Sequence, residues 1–212
     1  MNTASTIGPA GVVLCGGRSS RFGNDKALAL LRGLPLTAHV LKRLQPQVSC
    51  LFLSAQSETP GLQGLGVELV PDAVRRHRGP LAGLYSALQH VADQGLAEWL
   101  LLSPCDAPFL PPDLASRLLQ GAAEQDRPVS AARYGGIVQP TFSLWHCSVL
   151  PALREAVLDA GRGGLMTMLD RLPHATEDWE VAPVPPFFNV NTPDDLAQAG
   201  RLLDAEVARG RH

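Results

Sequence analysis

The sequence Gly11-Val-Val-Leu-Cys-Gly-Gly-Arg-Ser-Ser-Arg-Phe-Gly-Asn-Asp-Lys26 joins a short apolar run to a glycine-rich segment. The apolar run is typical of a buried strand. The glycines that follow allow the backbone to turn sharply and bring its N–H groups close to phosphate oxygens, while nearby cations add charge-assisted contacts. The glycines are Gly16, Gly17 and Gly23, and the cations are Arg18, Arg21 and Lys26. The segment therefore predicts a polyphosphate-binding loop.

The loop differs from the two common phosphate-binding motifs. A Walker loop needs Gly-Lys-Ser or Gly-Lys-Thr, whereas Lys26 follows Asp25. The G-x-G-x-x-G spacing of dinucleotide-binding proteins does not occur in the chain. We therefore predict a third type of phosphate loop.

The bulk composition favours a single domain that binds small molecules. The chain has 212 residues, a formal charge of −2 and 18% charged residues. This length suits one α/β domain with its own buried core. Because the net charge is close to zero, nucleic acid is not an expected partner, and anion binding is expected to be local.

The cysteines predict reduced thiols. Cys15, Cys50, Cys105 and Cys147 lie far apart, without a C-x-x-C pair or the histidine spacing of a zinc site. Such thiols favour a reducing cytoplasm. The N-terminus lacks the charged and apolar regions of a signal peptide, and no run of about 18 apolar residues occurs. We expect a soluble, cytoplasmic protein that does not contact a membrane.

Short apolar runs alternate with segments of helical periodicity, which predicts βαβ units and a mainly parallel sheet with helices on both faces. Apolar residues at helical spacing predict helices around 81–91, 114–122 and 150–158. Thr192 followed by Pro193 predicts the start of a further helix. The predicted strands are Val12–Cys15, Leu51–Ser54, Glu68–Val70, Trp99–Ser103, Val129–Ala132, Thr141–Trp145 and Phe187–Val190.

We expect one domain over residues 11–203, preceded by a flexible N-terminus at 1–10 and followed by a frayed tail at 204–212. In open α/β sheets, ligands bind beyond the carboxyl ends of the strands. Five predicted strands are each followed there by a candidate site residue, so we expect these residues to face one crevice. They are Gly16, Ser54, Asp72, Asp106 and Asn191.

Four further blocks follow the glycine-rich segment. They are Val-Pro-Asp72, Gly79-Pro-Leu-Ala-Gly83, Ser103-Pro-Cys-Asp-Ala-Pro108 and Asn189-Val-Asn-Thr-Pro-Asp-Asp-Leu196. With the first segment, Leu-x-Gly-Gly-x-x-x-Arg-Phe-Gly-x-x-Lys, they resemble the nucleotidyltransferases that activate sugars, alcohols and pterins with nucleoside triphosphates. Within that superfamily the chain resembles the molybdenum cofactor guanylyltransferases, in the same block order, over residues 11 to 203.

The resemblance implies a Rossmann-like three-layer α/β/α sandwich of the nucleotide-diphospho-sugar transferase type. It implies transfer of GMP from GTP to Mo-molybdopterin, with Mg²⁺ at Asp106 and transient contact with molybdoenzymes or other cofactor-biosynthesis proteins. The implied catalytic residues are Lys26, Asp106 and Arg21. The implied nucleotide-binding residues are Leu14, Cys15, Gly16, Gly17, Lys26, Ser54, Asp72, Asp106, Asn189 and Asn191.

The residues themselves leave some of these roles open. Asp106 ends an apolar strand, where its carboxylate suits Mg²⁺, although a turn aspartate is the alternative. Asp72 suits the N1–H and N2–H₂ groups of guanine, or ribose, and could instead satisfy N–H groups of a turn. Asn189 and Asn191 fit nucleotide or metal contacts, or plain turn positions.

Three positions depart from the resembled family, and one basic run has no assigned role in it. Cys15 occupies a position where the family usually has alanine, and Ser54 one where it often has asparagine. In the segment around Arg162 the family tends to place two basic residues, whereas this chain has Arg162 alone. The basic run Arg75–Arg78 is either a solvated loop or a contact for an anionic substrate.

Two other functions stay open. One is a cytidylyltransferase for the same cofactor, or another small-molecule nucleotidyltransferase. Gly16 and Gly17 favour the purine, since CTP-using relatives tend to have alanine at the first of these positions. The other is a protein that binds and delivers the cofactor without catalysis, against which the presence of both Lys26 and Asp106 argues.

Overall fold

The computed structural model describes residues 8–16, 26–55, 61–72, 79–159 and 164–209. The strands are β1 (Ala10–Leu14), β2 (Leu30–Leu31), β3 (Leu34–Pro35), β4 (Cys50–Ser54), β5 (Glu68–Val70), β6 (Trp99–Pro104), β7 (Val129–Tyr134), β8 (Ile137–His146) and β9 (Ala175–Trp179). The α-helices are α1 (Leu36–Leu44), α2 (Pro80–Asp93), α3 (Leu114–Glu124), α4 (Leu150–Arg154), α5 (Leu165–Arg171) and α6 (Pro193–Arg209).

The main sheet is mainly parallel. Its strand order is β5-β4-β1-β6-β8-β7-β9, and β2 pairs with β3 in a separate hairpin. β8 runs antiparallel to its neighbours β6 and β7, whereas the other pairs of the main sheet are parallel. The carboxyl ends of β1, β4, β5 and β6 therefore lie at one edge, where ligands bind in such folds.

Helices cover both faces of this sheet. Alternate residues of a strand point to opposite faces, so Val12 and Leu14 of β1 pack into one apolar layer and Val13 into the other. The first layer contains apolar residues of α2, α4 and α5, and the second contains those of α1 and α3. The predicted three-layer sandwich is confirmed.

The C-terminal helix differs from the sequence prediction. The predicted frayed tail from residue 204 is wrong as far as residue 209, because α6 continues to Arg209. Arg32 forms an ion pair with Asp204, and Arg43 forms one with Glu206. These pairs hold α6 against the hairpin and α1. Of the predicted flexible N-terminus at 1–10, residues 1–7 lie outside the described ranges, as do the last residues, 210–212, whereas Ala10 already begins β1.

The prediction of a strand at Phe187–Val190 is also wrong. These residues form no strand, and β9 is the edge strand beside β7. Its sequence, Ala-Thr-Glu-Asp-Trp, lacks the apolar run that marks a central strand.

Of the described helices, none is long and apolar enough to cross a membrane.

Candidate active site

The backbone ladder continues past the ends of the central strands. The Cys15 N–H donates to the Ser54 carbonyl oxygen at 2.9 Å, and the Cys105 N–H donates to the Leu14 carbonyl oxygen at 3.1 Å. The residues that follow β1, β4 and β6 are thereby held side by side at the carboxyl edge. Gly16 is exposed there, and an added Cβ would meet no atom of the described residues within 4 Å.

Lys26, Asp106 and Asn191 form a polar cluster. The Lys26 ammonium donates to Oδ2 of Asp106 in an ion pair, and to Oδ1 of Asn191 at 2.7 Å. The side chains of Lys26 and Asp106 are 14% and 17% exposed, so both charges have lost most of their water contact. The structure thus joins three predicted site residues that lie far apart in the sequence.

The other oxygen of Asp106 fits a metal ion. Oδ1 of Asp106 is buried and has no hydrogen-bond partner among the described residues. An unpartnered buried carboxylate oxygen is costly unless a ligand satisfies it. The described residues contain no group of three or more His, Cys, Asp or Glu side chains that could hold a metal. The unpartnered carboxylate oxygen of Asp106 suits Mg²⁺, which often takes one or two carboxylates and completes its shell with phosphates and water.

Asn191 is held by the start of α6. The Asp195 carboxylate accepts from the backbone N–H of Asn191 at 2.8 Å and of Thr192 at 2.9 Å, while the Thr192 hydroxyl accepts from the Asp195 N–H at 3.1 Å. This reciprocal pair caps the helix. The hydrogen bond from the Asn191 N–H is the main cause that lowers the pKa of Asp195. The predicted helix start at Thr192 is confirmed.

The segment before Asn191 is fixed by two further contacts. The Val190 N–H donates to the Asp106 carbonyl oxygen at 2.9 Å. The Phe187 ring packs against Phe142, with ring centroids 4.7 Å apart, and against Trp179 at 5.4 Å. A non-strand segment is therefore anchored beside the tip of β6.

A second polar group lies at the ends of β4 and β5. The Ser54 hydroxyl donates to Oδ1 of Asp72 at 3.1 Å. Burial raises the pKa of Asp72, and the hydrogen bond from Ser54 lowers it by a smaller amount. Gly83 of α2 packs tightly here, because an added Cβ would lie 2.6 Å from Ser54 Oγ and 2.8 Å from Leu14 Cδ2.

The remaining predicted site residues either lie apart from the Lys26 cluster or fall outside the described residues. Asn189 is half-buried, and no hydrogen bond links its side chain to the Lys26 cluster within the described structure. Cys15 is half-buried beside Cys105, and this hydrogen-bonding thiol, together with burial, holds the pKa of Cys105 well above its usual value. Gly17 and Arg21 lie outside the described residues, as do Arg18, Gly23, Arg75–Arg78 and Arg162.

Two contributors were not predicted as part of the site. Asp195 was not among the predicted site residues, although Thr192-x-x-Asp195 matches a capping box and could have indicated its role. The contact of Gly83 with Ser54 could not be found from sequence, because it depends on how α2 crosses β4.

Solved structures share this fold. A molybdopterin-guanine dinucleotide biosynthesis protein A from Archaeoglobus fulgidus has a TM-score of 0.74 at 23% identity, covering 92% of this chain and 99% of its own. A Mycobacterium tuberculosis protein solved in complex with manganese has a TM-score of 0.68 at 20% identity, with coverage of 92% and 99%. At these identities the likeness shows the fold alone.

A family model and curated relatives place the protein, whose sheet and Lys26 cluster suit this chemistry, in the class of α/β nucleotidyltransferases. A family model of the MobA-like NTP transferase domain matches residues 11–176. A molybdenum cofactor guanylyltransferase from Rhodopseudomonas palustris (strain BisB5) is 39% identical over 193 residues, which cover 90% of this chain and 92% of that protein. The chain belongs to the MobA-like NTP transferase family.

The ion pair at the centre of the site predicts non-additive stability. Lys26→Met leaves a largely buried carboxylate without its partner, so it should lower the free energy of unfolding more than the double change Lys26→Met with Asp106→Asn does. Pyrophosphate release should fall about 10²- to 10³-fold in each single variant, because preorganised charge at the reacting phosphates is lost. Urea unfolding and a pyrophosphate assay test both expectations. Additive losses of stability would contradict the described pair.

The tight packing of Gly83 predicts a contrast between two glycines of one motif. Gly83→Ala should destabilise the protein by about 1–3 kcal/mol, because its Cβ displaces Ser54 or Leu14. Gly79→Ala is the matched control: its Cβ would meet nothing within 4 Å and its backbone is extended. As an N-cap change it should cost less than Gly83→Ala, about 0.5–1 kcal/mol, because alanine caps a helix less well than glycine. Equal free energies of unfolding for the two variants would contradict the packing at Gly83.

The raised pKa of Asp72 predicts a pH-dependent effect of Asp72→Asn. Because the folded pKa lies above the ordinary value of 3.8, the folded state keeps this proton to higher pH than the unfolded state. The contribution of Asp72 to stability therefore falls as the pH rises from 3.8 through the folded pKa. Asp72→Asn should gain stability relative to the parent as the pH rises through this window. Urea unfolding across this range is the measurement, and the opposite slope would be inconsistent with a raised pKa.

Proposed function

We propose that this chain transfers GMP from GTP to the terminal phosphate of Mo-molybdopterin, giving the guanine dinucleotide cofactor and pyrophosphate. The observation that carries the proposal is the Lys26–Asp106–Asn191 cluster at the carboxyl edge of the sheet. Family membership and the guanylyltransferase relative from Rhodopseudomonas palustris support the choice of reaction.

The attacking group needs no general base. A phosphate monoester has its second pKa near 6, so it is largely a dianion at pH 7. One of its oxygens forms a bond to the α-phosphorus of GTP. The bond from this phosphorus to the oxygen that bridges to the β-phosphorus breaks, and pyrophosphate leaves with the electron pair.

The main barrier to this reaction is repulsion between two polyanions. A pair of unit charges 4 Å apart interacts with about 1 kcal/mol in water and about 4 kcal/mol near a protein surface. The positive charge of the Lys26 ammonium offsets this repulsion. Asp106 and Asn191 already hold this ammonium at the carboxyl edge of the sheet. Its transfer from these oxygens to the triphosphate would keep the cation paired while charge builds on the leaving group.

We assign the metal to Asp106, through the Oδ1 atom that lacks a partner in the described structure. Mg²⁺, when bound there, would screen the phosphates and align them for in-line displacement. Asp106 would then carry two tasks: Oδ2 holds Lys26 in place before the nucleotide binds, and Oδ1 would hold the metal. The manganese complex of the Mycobacterium tuberculosis neighbour supports a divalent ion in this fold.

We assign the base to the side of the crevice formed by Ser54 and Asp72. The Asp72 carboxylate could accept hydrogen bonds from N1–H and N2–H₂ of guanine, which cytosine cannot supply in that arrangement. Ser54 orients this carboxylate through its hydroxyl donor at 3.1 Å. Leu14, Cys15, Gly16 and Gly17 would follow the nucleotide along the end of β1, with Arg21 and Asn189 as further contacts.

We place the reaction in the cytoplasm, because the four cysteines are free thiols. The expected product is a finished cofactor, which another protein must receive. We therefore propose a transient contact with a molybdoenzyme or with another cofactor-biosynthesis protein.

Pyrophosphate release with each triphosphate tests the proposed reaction. With Mg²⁺ and Mo-molybdopterin, GTP should exceed CTP and ATP by at least about tenfold in kcat/KM, which corresponds to about 1.4 kcal/mol. Asp106→Asn serves as the control for contaminating activity. A preference for CTP would support the cytidylyltransferase alternative, and binding of the cofactor without pyrophosphate release would support the delivery protein.

A further inference from the structure

Two thiols meet at the ends of β1 and β6. The parallel register pairs Val13 with Ser103 and Leu14 with Pro104, so Cys15 and Cys105 come next on the two chains. The hydrogen bond from the Cys105 N–H to the Leu14 carbonyl oxygen extends the pairing to this position. Cys15 is fixed on its other side by its own N–H, which donates to Ser54.

The two side chains point into the same apolar layer. Cys105 belongs to the layer of Val13 and Leu101, and Cys15 packs against that layer. The Cys15 thiol is also the main cause that raises the pKa of Cys105, as expected for two neighbouring thiols. Neighbouring strands lie about 4.7–4.9 Å apart, and disulfides form between Cα atoms about 4.4–6.8 Å apart. Register and orientation therefore allow a bond between the sulfurs without a large movement of the backbone.

Each of these cysteines adjoins a site residue. Cys15 precedes Gly16 and the glycine-rich segment that ends at Lys26, and Cys105 precedes Asp106. Cys15 is half-buried and keeps some contact with solvent, so a small oxidant can reach it, whereas Cys105 is 9% exposed. The other two cysteines, Cys50 and Cys147, pack against the opposite layer of the sandwich.

We propose that Cys15 and Cys105 form a reversible disulfide that switches off nucleotide binding at this site. The proposal rests on the proposed function, because the binding that it controls is that of the nucleotide substrate. It adds a redox modification to an active site whose catalytic chemistry needs no thiol.

The oxidant is hydrogen peroxide, and the reaction balances in two steps. The Cys15 sulfur attacks a peroxide oxygen, the O–O bond breaks, and Cys15 becomes a sulfenic acid while one water is released. The Cys105 sulfur then attacks the Cys15 sulfur, the S–O bond breaks, and a second water leaves as the S–S bond forms. Two electrons pass from the sulfurs to the peroxide. A dithiol reverses the change by thiol–disulfide exchange.

The Cys15–Cys105 disulfide should disturb the nucleotide-binding site because an S–S bond is short. A disulfide holds its sulfurs about 2.05 Å apart, closer than two thiols in hydrogen-bond contact. The ends of β1 and β6 must adjust to that length, and Gly16 and Asp106 are the next residues on the two chains. Since a displacement of about 1 Å can reduce catalysis about 10²-fold, we expect the affinity for Mg²⁺·GTP to fall at least about tenfold.

Peptide mapping and nucleotide binding test this proposal on the full chain. After hydrogen peroxide treatment and alkylation, mass spectrometry should detect a peptide pair that joins Cys15 to Cys105. Calorimetry should show weaker Mg²⁺·GTP binding, which dithiothreitol restores. Neither measurement uses molybdopterin or turnover, so a failed guanylyltransferase assay with reduced protein would count against the proposed function alone.

Cysteine variants distinguish the peroxide response of the Cys15–Cys105 pair from any effect of Cys50 and Cys147. Each variant is compared with its own reduced form, so that any direct effect on nucleotide binding cancels. Cys15→Ala and Cys105→Ala should each lose the response to peroxide, and the Cys15 variant suffices if the buried Cys105 change impairs folding. The control Cys50→Ser with Cys147→Ser should keep the full response. Absence of the Cys15–Cys105 peptide, or its formation without weaker binding, would overturn the proposal.

Discussion

The active site depends on the pairing of Lys26 with Asp106. Both charges are largely removed from water, and neither could stay in that position alone without a large desolvation cost. The pair therefore requires the segment that ends at Lys26 and the tip of β6 to meet. Parallel β1 and β6 satisfy this requirement because they are direct neighbours in the sheet.

Asn191 completes the cluster from a segment with no regular secondary structure. Three independent contacts hold that segment: the Phe187 ring in an aromatic group, the Val190 N–H on the Asp106 carbonyl, and the Asp195 carboxylate on the Asn191 N–H. A strand would have fixed Asn191 through ladder hydrogen bonds. Here side-chain packing and helix capping fix the position of Asn191 instead. Its Oδ1 atom is therefore a second acceptor for the Lys26 ammonium besides Asp106.

Much of this arrangement could be predicted from sequence. The apolar runs located β1, β4, β5 and β6, and the rule that ligands bind beyond the carboxyl ends of strands placed Asp72 and Asp106 at one edge. Edge strand β9 was missed because its sequence is largely polar, and Phe187–Val190 was assigned as a strand because its apolar run resembles one. Local patterns do not distinguish a strand from an anchored loop of the same composition.

The finer geometry depends on register and on crossing helices. The contact of Cys15 with Cys105 follows from the pairing of Leu14 with Pro104, which no local motif encodes. The approach of Gly83 to Ser54 likewise follows from the path of α2. The predicted roles of Gly17 and Arg21 stay predictions, since both lie outside the described residues.

The position of a bound metal tests the central claim most directly. Crystals of the chain grown with Mn²⁺ and GTP would locate the ion by its anomalous scattering. The account predicts a peak about 2.1 Å from Oδ1 of Asp106, close to the metal–oxygen distance expected for Mg²⁺, with the Lys26 ammonium on the triphosphate. A metal held elsewhere, with the Lys26–Asp106 pair unchanged beside the bound nucleotide, would contradict it.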